Sequence, residues 1–293
     1  MSFREFTANI LSTRNYEGNR LEENCINDIK AYLGEINDNI GKEKGFSFIM
    51  LENGDEVFKD LEGVGGYSGV MIKSPHYIGL TILKENTEVE FLGAYYMQTI
   101  VKKLYEMNLG SCWINVRNIA QDIKSTLLKD HTGSINYLLA FGLSKDKAKH
   151  KASHMTVTNA SSTYKQDPYG TKVIEATDSD KARLSLGELV YLYEWGKAAT
   201  YAALESRGVS DIFYYVRNAP SYKNIQPCRL ILKDGEAELA ILNPENEENY
   251  IDAGIMMYTF EGLAKDIGIP CKWNFVKEES NNKEYGIVAK IEL

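Results

Sequence analysis

The chain has 293 residues, of which 44% are hydrophobic and 25% charged, so it can bury a core and is unlike a disordered chain. With 33 basic and 41 acidic residues its formal charge is −8, which disfavours a nucleic-acid partner. No apolar run reaches the ~20 residues of a membrane span and no signal peptide is evident, so we expect a cytoplasmic protein without a membrane partner.

The first half of the chain predicts helices, one hairpin and a strand. Helical spacing of apolar residues is found at residues 3–11, 22–33 and 91–108. Asn53-Gly54 lies between the apolar runs 46–51 and 56–61 and predicts a tight β-hairpin. Gly110 follows the long helix and is interpreted as its left-handed C-cap, and residues 137–141 form an apolar strand.

A polar stretch from Ser144 to Lys181 lacks helical or strand periodicity and is interpreted as a linker. It begins with the basic cluster Lys145, Lys147, Lys149 and Lys151, which is either a solvated surface or an attraction for an anionic ligand. We therefore expect an N-terminal half over residues 1–150, a linker over 151–180 and a C-terminal half over 181–293.

The second half repeats the pattern of the first. A helix is predicted from Leu189 towards Pro220, then a hairpin with strands 229–232 and 238–242, then a helix over 250–267. In both halves the long helix is followed by glycine, cysteine and tryptophan, ending at Trp113 and Trp273. The shared order favours an internal duplication. The alternative is two unrelated stretches of hairpin and helix.

Two segments carry side chains suited to a ligand. Ser221, Asn224 and Gln226 lie between two prolines, where short polar side chains could present hydrogen bonds to a planar heterocycle or simply form a capping turn. Arg14 and Asn15 lie between two predicted helices, where a guanidinium matches phosphate geometry. A surface arginine in a helix–helix turn is the alternative.

Other chemistry is not indicated by the sequence. The four cysteines form no CxxC pair, the four histidines have no metal-ligand spacing, and no serine lies in a GxSxG elbow. We therefore expect reduced, mostly buried thiols, no metal site and no nucleophilic triad.

Taken together, these segments resemble the FMN-dependent nitroreductase superfamily. Residues 219–227, Ala-Pro-Ser-Tyr-Lys-Asn-Ile-Gln-Pro, are similar to its APSxxNxQPW signature, and residues 109–113, Leu-Gly-Ser-Cys-Trp, to its GLGTCW segment. Residues 13–16 resemble a degraded RRSxR phosphate motif, in which Thr13 and Asn15 replace arginine and serine, and Glu17 stands where the last arginine would be. In addition, Cys228 replaces the signature tryptophan.

The resemblance implies an α+β fold, with a mixed, mainly antiparallel sheet flanked by helices, in two fused half-domains. In this chain the two motifs of the family lie about 200 residues apart. The resemblance therefore implies that two half-domains are fused into a pseudo-dimer within one chain and together form one flavin site. It also implies that the protein is a monomer in solution. A second site would need a signature loop in the first half, where residues 34–39 read Gly-Glu-Ile-Asn-Asp-Asn.

The implied activity is an oxidoreductase that passes hydride from NAD(P)H through FMN N5 to a small-molecule acceptor such as a nitroaromatic or a quinone, with no catalytic acid or base required from the chain. Backbone N–H groups of residues 113–115 are implied near N5 and O4. The alternatives are a flavin-binding or flavin-sequestering protein without reductase activity, and another flavin reaction such as dehalogenation. The implied cofactor residues are Arg14, Asn15, Tyr16, Gly110, Ser111, Trp113, Ile114, Asn115, Lys145, Pro220, Ser221, Asn224 and Gln226.

Overall fold

The computed structural model describes residues 1–84, 86–145, 164–166, 173–175, 183–276 and 284–293. The chain forms two compact units: the N-terminal unit, Ile10–Lys149, and the C-terminal unit, which combines Met1–Asn9 with His150–Leu293. Helix α1 (Phe3–Asn9) therefore belongs to the C-terminal unit, where its Phe3 ring packs against Tyr258. Among the described residues, no helix has the length and apolar character that crossing a bilayer requires.

The N-terminal unit contains one four-stranded antiparallel sheet with helices around it. Its helices are α2 (Glu23–Ile36), α3 (Lys42–Lys44), α4 (Gly54–Leu61), α5 (Thr87–Glu106) and α6 (Gln121–Leu128), and a π-helical turn (Asn37–Gly41) joins α2 to α3. Its strands are β1 (Phe46–Leu51), β2 (His76–Ile82), β3 (Gly110–Asn115) and β4 (Ser134–Gly142), in the order β1-β2-β4-β3. Every residue of β2 is buried, as expected of a central strand covered by α5.

Two short strands, β5 (Tyr164–Gln166) and β6 (Val173–Glu175), pair antiparallel within the stretch that we interpreted as an aperiodic linker. The other residues of the predicted linker 151–180 lie outside the described residues, as do Lys147, Lys149 and Lys151.

The C-terminal unit contains a five-stranded sheet in the order β10-β11-β9-β8-β7. Its strands are β7 (Val190–Leu192), β8 (Cys228–Leu232), β9 (Glu236–Leu242), β10 (Trp273–Phe275) and β11 (Tyr285–Glu292), and only the β7–β8 pair is parallel. Its other helices are α7 (Leu186–Leu189), α8 (Tyr201–Glu205), α9 (Ser210–Val216) and α10 (Glu248–Asp266). The predicted α+β fold with mainly antiparallel sheets is confirmed.

The two units share one topology. β1, β2, α5, β3 and β4 correspond in chain order, sheet position and strand direction to β8, β9, α10, β10 and β11. The tryptophans extend this correspondence: Trp113 Nε1 donates to Gln98 Oε1 (3.3 Å), and Trp273 Nε1 donates to the Met257 carbonyl (2.9 Å). Gln98 and Met257 occupy the same position when α5 and α10 are aligned without gaps, so both similarities support a duplication.

The first predicted hairpin is wrong. After β1, residues 54–61 form α4, because Val57 and Leu61, one helical turn apart, are both buried on the same helix face. Gly54 fits tightly there: a Cβ would lie 2.0 Å from the Ser74 carbonyl oxygen. The second hairpin is confirmed, since β8 and β9 pair across a turn in which Gly235 has a φ of +78°.

Two further expectations need correction. No continuous helix runs from Leu189: α7 ends there and β7 follows directly, because Val190-Tyr191-Leu192 pair with β8. Gly110 is not the C-cap of α5 but the first residue of β3; Asn108 adopts the left-handed conformation instead, with a φ of +59°. The C-cap glycine predicted after α10, Gly268, has the expected positive φ of +84°.

Candidate functional site

In the N-terminal unit, an extended segment over residues 12–17 lies beside the ends of β3 and β4. The Thr13 amide donates to the Ser111 carbonyl (2.9 Å), and the Lys145 amide donates to the Asn15 carbonyl (3.0 Å). Residues separated by about a hundred positions in sequence are thereby brought together. The structure thus joins five of the predicted site residues in one place: Arg14, Asn15, Tyr16, Ser111 and Lys145.

The side chains of this segment differ in burial. Tyr16 is buried and its hydroxyl donates to the Ala140 carbonyl (3.1 Å), so it anchors the segment to β4; burial also raises the pKa of its phenol. Arg14 and Asn15 are exposed. Burial raises the pKa of the Cys112 thiol in β3, and the positive charge of Arg14 opposes that rise.

Gly110 has a packing role in the same place. A Cβ there would lie 2.3 Å from Thr13 Oγ1, so the close approach of the segment to β3 requires glycine. Thr13, which replaces the first arginine of the phosphate motif, is itself buried. Its side chain therefore packs against β3, whereas Arg14 is exposed.

β3 is the edge strand of its sheet and directs alternate backbone groups outward. The Ser111 and Asn115 carbonyls accept hydrogen bonds from outside the sheet, from the amides of Thr13 and Gly66. By the same alternation, the Trp113 N–H faces the edge, whereas the amide of Ile114 faces β4. Of the three predicted amides, those of Trp113 and Asn115 are thus directed towards the edge.

The Trp113 side chain is held in place by α5. Its indole N–H donates to Gln98 Oε1, and its ring meets Tyr137 edge-on with centroids 6.2 Å apart. Gln98 is fully buried, and its Nε2 has no hydrogen-bond partner among the described residues. The single amide–indole bond therefore fixes how the tryptophan, and with it the middle of β3, is seated.

In the C-terminal unit, the predicted signature forms a strained loop between α9 and β8, which we call the signature loop (residues 219–227). Lys223, Asn224 and Gln226 all have positive φ angles, of +50°, +56° and +53°. Such conformations are uncommon for residues with a side chain and cluster at functional sites. With three of the four residues 223–226 in this conformation, the loop requires restraints from the surrounding structure.

Hydrogen bonds of the predicted side chains supply part of that restraint. Ser221 Oγ accepts the Gln226 amide (2.9 Å), which closes the loop on itself. Asn224 Oδ1 accepts Arg183 Nη1 (2.5 Å), and Gln226 Oε1 accepts the Leu184 amide (3.0 Å). The three predicted residues are thus brought together, with their oxygens directed to protein donors.

A buried carboxyl group lies beneath this loop. Both Asp252 oxygens accept the Tyr222 amide, at 3.0 and 3.1 Å. Asp252 is 4% exposed, and burial raises its pKa from 3.8 to about 8, with Glu248 adding to the rise and the Tyr222 hydrogen bond opposing it. The group is therefore mainly protonated at neutral pH.

A small pocket lies against the signature loop. Pro220, Ser221 and Gln226 line it together with Arg217 and Asp252. Arg217 donates to backbone carbonyls of Tyr214 and Leu184, and burial lowers the pKa of its guanidinium. The predicted residues Pro220, Ser221 and Gln226 thus face one cavity.

Four residues of this region were not identified from sequence: Arg183, Leu184, Arg217 and Asp252. Asp252 carried a usable signal, because it is a charged residue on the apolar face of a predicted helix, spaced like Met256. Arg183 carried none, since it follows an aperiodic stretch and meets Asn224 only through tertiary structure.

The histidines and cysteines form no candidate metal centre among the described residues. His76 is buried with both ring nitrogens engaged: Nδ1 pairs with the Glu52 carbonyl (2.9 Å) and Nε2 accepts the Leu21 amide (3.1 Å). The four cysteines, all in the described part of the chain, are unpaired, and Cys112, Cys228 and Cys271 are buried. His76 and the three buried thiols therefore belong to the packed interior.

The duplicated antiparallel sheet and the two motif segments together define a nitroreductase-like protein. The sequence matches the model of a protein family described as "Putative TM nitroreductase" over residues 8–179, more than half of the chain. The chain belongs to this nitroreductase family. A search of curated protein sequences finds no match.

Three solved structures are similar to this chain. A protein from Thermotoga maritima described as a putative nitroreductase is 15% identical, with a TM-score of 0.53, and the match covers 98% of this chain and 94% of that one. An FMN-dependent nitroreductase from Clostridium difficile R20291 is 19% identical over 48% of this chain and 87% of that one, with a TM-score of 0.40. A nitroreductase family protein from Clostridium novyi is 17% identical over 68% and 97%, also at 0.40. The first similarity extends the fold assignment to nearly the whole chain.

Proposed function

We propose that the protein is an FMN-dependent oxidoreductase that takes a hydride equivalent from NADH or NADPH and passes electrons to a small-molecule acceptor such as a nitroaromatic or a quinone. In this proposal one FMN binds per chain, and the protein is a cytoplasmic monomer. The proposal rests on membership of the nitroreductase family together with the two motif segments.

The observation that carries the proposal is the arrangement of residues 12–17 against β3 and β4 in the N-terminal unit. It places an exposed guanidinium and an exposed amide, those of Arg14 and Asn15, next to Ser111 and Lys145. Charged and amide donors of this kind suit a phosphate monoester. The Trp113 N–H on the edge of β3 is a donor suited to a heteroatom of a planar ring.

The chain's own residues bind and orient in this proposal. Arg14, Asn15 and Lys145 would hold the phosphate end, while Ser221, Asn224 and Gln226 would orient the ring. FMN, when bound, supplies the hydride-accepting and electron-donating chemistry. The seating of Trp113 by Gln98 would keep the β3 edge rigid enough to present its amide.

Titration with FMN tests this proposal directly. We expect the purified protein to bind FMN at one equivalent per chain, followed by visible absorbance and flavin fluorescence. Replacing Arg14 with alanine removes a charge-assisted contact, so FMN affinity should fall roughly tenfold to a hundredfold. Arg20→Ala, which removes another exposed arginine of the same unit, should leave affinity unchanged. A protein that stays colourless with excess FMN would contradict the proposal.

A second candidate is a flavin-binding or flavin-sequestering protein without reductase activity. It is favoured by the weakened phosphate motif, because Thr13 is buried against β3 and Glu17 adds a negative charge. Anaerobic mixing of the FMN complex with NADH or NADPH separates the two: bleaching of the visible flavin band indicates a reductase. Unbleached flavin with both nucleotides indicates the second candidate or another flavin reaction, such as dehalogenation.

A further inference from the structure

The signature loop needs restraint from outside itself. Lys223, Asn224 and Gln226 hold left-handed conformations, which are energetically unfavourable for residues with a side chain. Such a loop keeps one conformation only where surrounding groups determine it. The groups that determine the orientation of its two side-chain amides lie just before α7 in the chain.

Two consecutive residues, Arg183 and Leu184, donate hydrogen bonds to the side-chain amide oxygens of the loop. The Arg183 guanidinium donates to Asn224 Oδ1 at 2.5 Å, and the Leu184 backbone N–H donates to Gln226 Oε1 at 3.0 Å. An amide whose oxygen is fixed by a donor has its NH2 group fixed on the opposite side. Gln226 Nε2 also donates to the Asn224 carbonyl within the loop (3.2 Å). Together these contacts fix the direction of both side-chain amides.

Arg183 is itself held in a constrained environment. Its pKa is lowered first by burial and then by the nearby positive charge of Arg217. Arg217 in turn donates to the Leu184 carbonyl (3.3 Å), which secures the backbone whose amide contacts Gln226. The side chain and the neighbouring backbone thus form one rigid support for the loop.

We propose that Arg183 is a positioning residue: with the Leu184 amide it fixes the orientation of the Asn224 and Gln226 side chains, and with it the conformation of the signature loop against a bound heterocycle. The inference deepens the proposed function and rests on it for the identity of the ligand. The orientation itself is a property of the protein alone, so it can be tested without FMN.

The ligand-free test observes the Asn224 side-chain amide by NMR in protein labelled with 15N-asparagine, with Asn224→Ala to assign the signal. We expect Arg183→Ala to move this signal to the position of a solvent-exposed asparagine and Arg183→Lys, which keeps a donor, to retain most of its shift. Arg207→Ala, which removes an arginine bonded to Ala203 and Tyr193 in the same unit, is the matched control. An Asn224 signal that is the same in Arg183→Ala as in the wild type overturns the proposal.

The ligand-bound test is a double-mutant cycle on FMN affinity. Arg183→Ala and Asn224→Ala should each weaken binding roughly tenfold, and the double variant should lose no more than Asn224→Ala alone, because Arg183 acts through Asn224. Additive losses overturn the proposal. If wild-type protein binds no FMN, the proposed function fails and the NMR result alone decides the role of Arg183. Arg183→Gln is the second variant if Arg183→Ala does not fold.

Discussion

The N-terminal and C-terminal units share one core but differ in what lies before its first strand. Before β8, the C-terminal unit has the strained signature loop. Before β1, the N-terminal unit has a π-helical turn, in which Asn37 pairs through both side-chain atoms with the backbone of Phe48, at 2.9 and 2.8 Å. In the C-terminal unit this place holds side-chain amides that bind Arg183 and Leu184. In the N-terminal unit it holds the Asn37 amide, which binds the backbone of β1.

The difference indicates how the two copies of a duplicated fold can each contribute a different motif segment. In the N-terminal unit residues 12–17 lie along β3, and in the C-terminal unit the loop with Ser221 and Asn224 lies before β8. In the N-terminal unit, the place that corresponds to the signature loop holds the Asn37 side chain, which pairs with the backbone of Phe48. Our proposal of one FMN per chain is based on this division.

The largest expected loss of stability concerns α4. This helix follows β1, whereas a tight turn follows β8, the equivalent strand of the C-terminal unit. A Cβ on Gly54 would lie 2.0 Å from the Ser74 carbonyl oxygen and 2.5 Å from the Pro75 carbonyl carbon, and neither backbone group can move freely. Gly54→Ala should therefore lower the free energy of unfolding by about 4 kcal/mol, measured by urea denaturation.

Gly34→Ala is the matched control for that variant. Gly34 lies in α2, and a Cβ added there would have no neighbouring atom within 4 Å, so alanine should stabilise the helix by roughly 0.5–1 kcal/mol. Equal effects of the two substitutions would show that α4 does not fit against residues 74 and 75 in this way.

Sequence patterns predicted the core better than the connections. The long helices and the β8–β9 hairpin follow from periodicity and a turn dipeptide, which are local properties. α4 was misread because its Asn-Gly dipeptide is typical of hairpins, whereas burial of Val57 and Leu61 favours a helix. Motif similarity identified the loop residues, but their partner Arg183 depends on a contact 41 residues distant in sequence, which no local pattern encodes.

The next comparison concerns Asp252, whose equivalent in α5 is Gly93. The folded protein retains a proton on Asp252 that the unfolded chain releases above its ordinary pKa of 3.8, because burial raises the folded pKa to about 8. The contribution of Asp252 to stability is thus full below pH 4 and is lost as the pH rises to about 8. Asp252→Asn keeps an acceptor for the Tyr222 amide and removes this dependence.

We therefore expect Asp252→Asn to gain stability relative to the wild type by about 4 kcal/mol between pH 5 and pH 9, measured by urea denaturation across that range. Glu205→Gln, an exposed carboxylate of the same unit, should show no such divergence. A constant difference between Asp252→Asn and wild type at all pH values would mean that Asp252 is ionised in the folded protein throughout.

The smallest effect concerns the two tryptophans, which are equivalent in fold but differ in acceptor. Trp273 donates to the Met257 carbonyl within a helix, whereas Trp113 donates to the buried side chain of Gln98, whose Nε2 is already without a partner among the described residues. Trp113→Phe leaves that whole amide unsatisfied and should lower the free energy of unfolding by about 2 kcal/mol.

Adding Gln98→Met to Trp113→Phe gives α5 the residue that α10 has at this position. This second change should recover about 1 kcal/mol, because no buried amide then remains. Gln98→Met in the Trp273→Phe background is the control and should recover nothing; equal recovery in both backgrounds would mean that Gln98 is unfavourable for reasons unrelated to Trp113.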